Sequence, residues 1–424
     1  MSNSLLVALD NAIAGSLTRL AGGRLRFDYD DAYRERPTPT PLSVSMPTQV
    51  SSHPDRVITP WLWGLLPDNE AVLARWAREF NVSASSPFSM LATPIGQDCP
   101  GAVRFATPDD ADQLLGRTGR VHWLSDEEVG LRLRELREDS TAWLGRTFAG
   151  QFSLAGAQAK TALLYRDGRW GVPSGSIPTS HILKPAVAGL DDHDLNEHLC
   201  LDAAHRVGLT VARSRVARFG RERAIVVERF DRHRTGQRMI RIHQEDLCQA
   251  LSIPPSRKYQ NEGGPGPRDI SRLFRRVMPP SAADDAVARF LDALAWNWII
   301  GGTDAHAKNY SMLLSEEQVR LAPLFDIASA LPYRADERNL RFAMRMGSDY
   351  GVYLRKDPWP RVAAELALDP ETTASRVREL AKRAPEAFAQ AARASEVVAL
   401  KSPLPSRLVD LIAARAGECV ALLN

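Results

Sequence analysis

Gly301-Gly302-Thr303-Asp304-Ala305-His306-Ala307-Lys308-Asn309-Tyr310 opens on a glycine pair, places an Asp, and puts an Asn five positions later; Leu324-Phe325-Asp326-Ile327-Ala328 then adds a second Asp. Upstream, Val287, Phe290, Leu291, Leu294 and Trp298 recur at helical spacing, with Ser281 and Asp284 as a helix start and the glycine pair as its stop. Downstream, Tyr310 to Leu314 and Val319 to Phe325 read as two short apolar strands around Ser315-Glu316-Glu317-Gln318. Such a hairpin returns Asp326 to the neighbourhood of Asn309. The three polar residues are therefore predicted on one rigid support, between a buried helix and a hairpin.

An Asp, an Asn and a later Asp in this order suit phosphoryl transfer. In that chemistry the first Asp accepts the proton of the attacking hydroxyl, while the Asn and the second Asp hold the Mg²⁺ ions that bridge the nucleotide phosphates. The roles fall to Asp304, Asn309 and Asp326. Taken alone, the same residues also fit a turn cap, local backbone bonds and an ordinary loop carboxylate. Their density between two apolar elements favours chemistry, because loops on a rigid scaffold are where reactive groups sit.

Phe152-Ser153-Leu154-Ala155-Gly156-Ala157-Gln158-Ala159-Lys160 is a run of small residues ending in a Lys at the entrance of a strand, Thr161 to Tyr165. Small side chains let backbone N–H groups approach phosphates, and the Lys adds a point charge. The spacing is not that of a Walker A loop. Beyond a turn at Asp167-Gly168 and a Pro/Ser/Gly stretch, Ser180 to Lys184 reads as a strand whose final Lys faces the phosphates. Glu197, in a helix from Asp194 to Val207, is its candidate carboxylate partner, or else a solvated helix residue. A hairpin of Arg215 to Phe219 and Ala224 to Phe230 then runs into Glu228-Arg229-Phe230-Asp231-Arg232, as a hinge between two lobes would.

Ser153-Leu-Ala-Gly-Ala-Gln-Ala-Lys160, Val227-Glu-Arg-Phe-Asp-Arg232, Gln244-Glu-Asp-Leu-Cys-Gln249, Lys258-Tyr259 with Gly263-Gly-Pro-Gly266, and Thr303 to Asn309 together resemble the HipA family of serine/threonine kinase toxins. The similarity extends forward to Gly64-Leu-Leu-Pro-Asp68, Pro87-Phe88 and Ile95-Gly96-x-Asp98-x-x-Gly101-Ala102-Val103, and so runs from about residue 20 to about residue 340. The resemblance implies Asp304 as the catalytic Asp and Asn309 and Asp326 as Mg²⁺ ligands. His306 and Phe325 become nucleotide-pocket residues, and Lys184 the phosphate-binding lysine. Ala155, Gly156, Ala157, Gln158, Ala159 and Lys160 become the phosphate loop, Glu228, Arg229 and Phe230 the adenine hinge, and Ser153 the autophosphorylated serine. Asp326-Ile-Ala stands where eukaryotic kinases have Asp-Phe-Gly, and Ala159 replaces an expected acidic residue.

The same resemblance implies an α+β, two-lobed protein-kinase-like fold with an extra N-terminal α/β subdomain. Residues 1–106 would form that subdomain and dock an antitoxin, 107–240 the nucleotide-binding lobe, and 241–424 the mainly helical catalytic lobe. It further implies ATP and Mg²⁺ as cofactors and an aminoacyl-tRNA synthetase as the protein phosphorylated, with arrest of translation and growth. A small helix-turn-helix antitoxin of the HipB type would neutralise the chain and carry it to operator DNA.

Composition agrees with an ordinary soluble globular protein: 424 residues, 44% apolar and 25% charged. A net charge of +3 is too small for strong nucleic-acid binding through the chain's own surface, so any DNA contact is expected to be indirect. The runs Arg132 to Arg137 and Arg268 to Arg276 read as solvated helix faces. Cys99, Cys200, Cys248 and Cys419 are scattered, with neither a zinc nor a disulfide pattern. No export signal or membrane span is evident, and a cytoplasmic location is expected. Boundaries are expected near Thr107-Pro108-Asp109 and around 233–243. Gln260 to Pro267 is predicted as a flexible loop, and the tail from Ala363 as helical. Two rivals stay open: an aminoglycoside-type small-molecule phosphotransferase, which shares the Asp-x4-Asn loop, and a catalytically silent co-repressor.

Overall fold

The computed structural model describes all residues except 1–2, 10–11, 117–118, 146–149, 237, 316–317, 334–338 and 424. The first sheet is antiparallel, in the order Ser52–Pro54, Leu25–Tyr29, Ala12–Arg19, Ser4–Leu9, Val103–Ala106. Leu5, Val7 and Leu9 alternate inward from its fourth strand, and helix Asp55–Gly64 brings Trp61 and Leu62 into the same core. A second antiparallel sheet follows in the order Ser214–Phe219, Glu222–Glu228, His181–Pro185, Thr161–Arg166, Arg169–Pro173, Val121–Leu124.

Strand Glu222–Glu228 shows how two cores share one sheet. Its side chains alternate, so Ala224 and Val226 join the core that also holds Trp61, Phe105, Phe152 and Leu163, whereas Ile225 and Val227 join a helical core running from Leu195 to Leu423. Lys184, opposite Ile225 in the ladder, lies where the two cores part. The helical core is built around Pro280–Ile300, together with Trp359–Leu366, Pro370–Ala392 and Leu404–Leu422, the helical tail the sequence predicts.

Several local expectations change. The long helix starts one residue earlier than Ser281, with Pro280 in its first turn, where a missing N–H costs nothing. The hairpin strands are shorter, Ser311–Leu314 and Val319–Leu321, and the first of them also pairs with His243–Asp246; the predicted turn residues Glu316 and Glu317 lie outside the described residues. The stretch around 233–243 is itself a hairpin, Arg232–Thr235 with Arg238–Arg241. Gln260 to Pro267 is tied down rather than loose. Gln260 accepts a bond from the Arg345 N–H at 2.6 Å, the Gly264 N–H donates to Tyr259 O, and a Cβ on Gly264 would lie 2.3 Å from Arg257 O. Arg132 is buried, donating to Leu144 O and Thr161 Oγ1, while Arg134 and Arg137 engage Glu222. Arg132 thus leaves the solvated face, whereas Arg134 and Arg137 stay exposed as expected.

Candidate active site

Helix Pro280–Ile300 ends because Gly301 adopts φ +63°, and a Cβ on Gly302 would meet Asn297 Oδ1 at 2.3 Å and displace that side chain. The chain then turns into residues 303–309. The Asn309 side chain donates from Nδ2 to Asp304 O at 2.8 Å, and the His306 N–H donates to the same oxygen. This fixes the Asp-Asn loop from within. Because Nδ2 is taken, Oδ1 is the atom Asn309 has left for a cation. Asp326 arrives after the hairpin with φ +56°, a costly conformation for a residue with a Cβ, held at the cleft.

The cleft encloses about 930 Å³, its open mouth included, and its walls come from both cores. Lys184 Nζ donates to Glu197 Oε1 at 2.8 Å and to Asp326 Oδ1 at 2.6 Å, so the pairing with Glu197 left open by the sequence is present. Burial opposes the charge on Lys184, but Asp326 and Glu197 outweigh it and raise the ammonium's pKa. Burial also raises the Glu197 carboxyl despite Lys184. For Asp326, Lys184 and then Lys160 overcome burial and hold the carboxyl well below the usual range.

Lys160 is set differently. Its Nζ donates to Ala155 O at 2.6 Å and lies 5.0 Å from the centre of the Trp143 ring; burial and then the Lys184 charge bring its pKa down to about 8. Gly156 sits at φ +96°, a conformation that strains any residue with a Cβ, and a Cβ there would also push Lys160 Nζ, 2.7 Å away.

Ala155, Gly156, Lys160, Lys184, Glu228, Arg229, Phe230, His306, Asn309, Phe325 and Asp326 line this cleft. Ala157, Gln158 and Ala159 are not among the lining residues, and the Ala157 carbonyl accepts from Asn69. Arg229 contributes wall but not a free guanidinium. That group is buried among Asp231, Asp98, Thr179 and the Cys99 carbonyl. The N–H groups of Glu228 and Arg229 donate to Arg213 O and Ser180 O. Phe230 packs on Phe325 at 5.4 Å between ring centres.

Asp304 sits beside the cleft, its side chain 66% exposed, and its Oδ1 accepts from Tyr259 Oη at 2.6 Å. The Tyr259 ring stands edge-on to His306 at 5.0 Å. Ser153 is fully buried rather than presented at the loop entrance; its Oγ donates to Leu65 O at 2.6 Å and its N–H to Asp98 O.

No candidate site residue is expected in the first 106 residues, yet Gly64, Asp68 and Pro100 line the cleft. Tyr259, Lys308 and Asp246 lie inside the motifs that carry the resemblance but have no role assigned to them there. Their signal was present in outline: Asp68 ends an apolar Leu-Leu-Pro run, and Lys308 lies inside the Asp-Asn loop. Burial raises the carboxyl of Asp246, another cleft residue, to about 6, with Lys308 opposing. Among the described residues no helix is long and apolar enough to cross a membrane.

Comparison with known proteins identifies the family. The HipA N-terminal domain family matches residues 5–106, and the HipA-like C-terminal domain family matches 152–388. The putative kinase Y4mE of Sinorhizobium fredii is 32% identical over 413 residues, covering 96% of each chain. The serine/threonine-protein kinase toxin HipA of Shewanella oneidensis is 30% identical over 393 residues, 88% of this chain and 84% of that one. A solved complex of Shewanella oneidensis HipA, HipB and operator DNA superposes with a TM-score of 0.80 at 26% identity, covering 99% of this chain and 96% of that one. The two-lobed kinase-like fold, the matched families and these relatives together assign the chain to the HipA family, as a kinase.

Proposed function

We propose that this kinase transfers the γ-phosphoryl group of ATP, with Mg²⁺, to a protein serine or threonine, and that it is the toxin of a toxin–antitoxin pair. The observation that carries the reading is the convergence on one cleft of the Lys184–Glu197 pair, Lys160, Asn309 and Asp326, with Asp304 beside them. Lys184 and Lys160 would receive the phosphates. Asn309 Oδ1 and the Asp326 carboxylate are hard oxygen donors that fit Mg²⁺, an ion that completes its shell with phosphate oxygens and water and would neutralise charge on the transferred group. Asp304 has one oxygen engaged by Tyr259 and the other available to accept the acceptor hydroxyl's proton. The new bond joins the acceptor oxygen to the γ-phosphorus, the bond to the β–γ bridging oxygen breaks, and the nucleoside diphosphate leaves.

The Shewanella relative was solved with HipB and operator DNA. By that likeness, a small helix-turn-helix antitoxin neutralises this chain in the cytoplasm and brings it to DNA. Its acceptor is an aminoacyl-tRNA synthetase, whose modification stops translation and growth. Ser153 is a second acceptor, reached only when its loop leaves the buried position.

The test is label transfer from γ-labelled ATP with Mg²⁺ to cell-extract proteins, with phosphopeptide mapping and Asp304→Asn as control. Phosphoserine or phosphothreonine on a synthetase, absent with Asp304→Asn, is expected. Label on aminoglycosides and on no protein would overturn the reading.

A further inference from the structure

Asp68 belongs to the first sheet's side of the molecule but reaches across the cleft. Its carboxylate meets Lys258 Nζ at 2.8 Å through Oδ2 and Lys308 Nζ through Oδ1. Lys308 lies between His306 and Asn309, is almost wholly buried, and lines the cleft. Burial works against ionisation of Asp68, but Lys308 and then Lys258 prevail and hold its carboxyl below the usual range.

The backbone of the same segment holds the other loop. The Asp68 N–H donates to Gly156 O at 3.0 Å, Pro67 and Gly156 form a parallel bridge, Asn69 Nδ2 approaches Ala157 O at 3.5 Å, and Leu65 O accepts from Ser153. Residues 65–69 therefore run along the phosphate loop as its template. The Asp68 side chain leaves that template for the loop carrying Asp304 and Asn309.

We infer that Asp68 is a positioning residue of the active site, locking the Asp304–Asn309 loop, through Lys308, to the phosphate loop that its own backbone holds. The inference rests on the reading of these loops as the phosphate and acceptor sides of phosphoryl transfer. Two cations from the helical body share this one carboxylate. Without its charge they lose their common partner, repel each other, and no longer fix residues 304–309 against 153–160. Such transfer depends on positioning, and a displacement of about 1 Å costs on the order of 10²-fold.

Asp68→Asn keeps the shape and the backbone contacts and removes the charge. In the full-length chain it is expected to lower kcat for phosphoryl transfer roughly 10- to 100-fold while changing KM for ATP far less. Asp68→Glu should recover part of the loss. Because Asp68 acts through Lys308, Asp68→Asn and Lys308→Met should be strongly non-additive.

A second measurement needs no catalysis. Amide hydrogen exchange without nucleotide should accelerate in both 303–309 and 153–160 in Asp68→Asn, with the rest of the chain unchanged. That separates the inference from the kinase reading, since exchange reports the lock even if no acceptor is ever found. Exchange unchanged in residues 303–309, or kcat within twofold of wild type, would overturn the inference. Equal losses in kcat and ATP affinity with additive double-variant effects would also overturn it, leaving Asp68 a merely structural residue. If Asp68→Asn does not accumulate as folded protein, Lys308→Gln, which removes the partner through which Asp68 acts, is measured by the same exchange experiment. It should accelerate residues 303–309, and no change there sinks the inference.

Discussion

Tyr259 donates its hydroxyl to one oxygen of Asp304, which on the proposed reading leaves the other for the acceptor, and its ring is braced by His306. A general base fixed by a third group is the usual way to hold a proton acceptor in line. Hydrogen bonds to charged groups contribute about 1.5–3 kcal/mol, so Tyr259→Phe should lower kcat about 10- to 100-fold with ATP affinity kept, as steady-state kinetics at varied ATP would register. The two lysines respond to opposite rules. Lys184 anchors a fully buried Glu197, so Lys184→Ala does more than weaken ATP binding: it strands a carboxylate and should cost about 3–5 kcal/mol in urea denaturation. Adding Glu197→Gln should recover much of that loss. Lys160 has its folded pKa lowered from 10.5 to about 8, so it loses its proton as pH rises through 8 in the free protein. Phosphates favour the charged form, so ATP binding above that pH must take up a proton, and affinity must weaken as pH climbs from 7.5 to 9. Calorimetry in buffers of different ionisation enthalpy measures the uptake, which Lys160→Arg should abolish.

At the scale of elements, the phosphate loop is shaped by what it touches. For Ser153 to reach a phosphoryl donor it must give up Leu65 O and a fully buried site, and a phosphate of about −1.5 to −2 charge cannot return to that position. Phosphorylated protein should therefore show fast exchange over residues 153–160 and weakened ATP affinity, while Asp304→Asn carries no phosphate at Ser153; mass spectrometry and exchange on the two forms check both. The loop also marks what a sequence can and cannot convey. Elements ruled by local chemistry were legible: the helix closed by Gly301, the strand of Lys184, the Asp167-Gly168 turn, and the return of Asp326 to the neighbourhood of Asn309. Partnerships between remote segments were not. Asp68 meets Lys308 across 240 positions and Arg229 meets Asp98 across 131, and no periodicity encodes either pairing. Arg132 departs from its run for the same reason: Arg134 and Arg137 stay exposed, but Thr161 and the Leu144 carbonyl, remote in sequence, draw Arg132 inward. Gln260 to Pro267 looked loose because Gly and Pro mark turns equally well whether or not another strand ties them down.

Across the whole molecule, the first sheet and the nucleotide-side sheet share one apolar core, in which Trp61 and Phe105 pack with Phe152, Leu163 and Val226. A buried ionic knot reinforces that union. Asp98 takes Arg229 at 3.3 Å, Arg232 at 2.8 Å and Arg241 at 3.5 Å, and Asp231 takes Arg229 and Arg232. Burial disfavours the charge on Asp98, yet Arg232 and then Arg229 keep its carboxyl below the usual range. A chain lacking residues 1–106 would thus expose half a core and leave buried arginines short of a carboxylate. It should fail to fold, and it cannot serve to map an antitoxin surface; substitutions at exposed positions of the intact chain are needed for that. Asp98→Asn poses the same question with one atom changed. Stripping the charge from a buried ionic partner costs about 3–5 kcal/mol, so the urea midpoint should fall markedly. Because the knot abuts Glu228 to Phe230, ATP affinity should fall with it. Should Asp98→Asn unfold at the wild-type urea concentration, the knot adds little to stability, and the shared apolar core alone joins the two sheets.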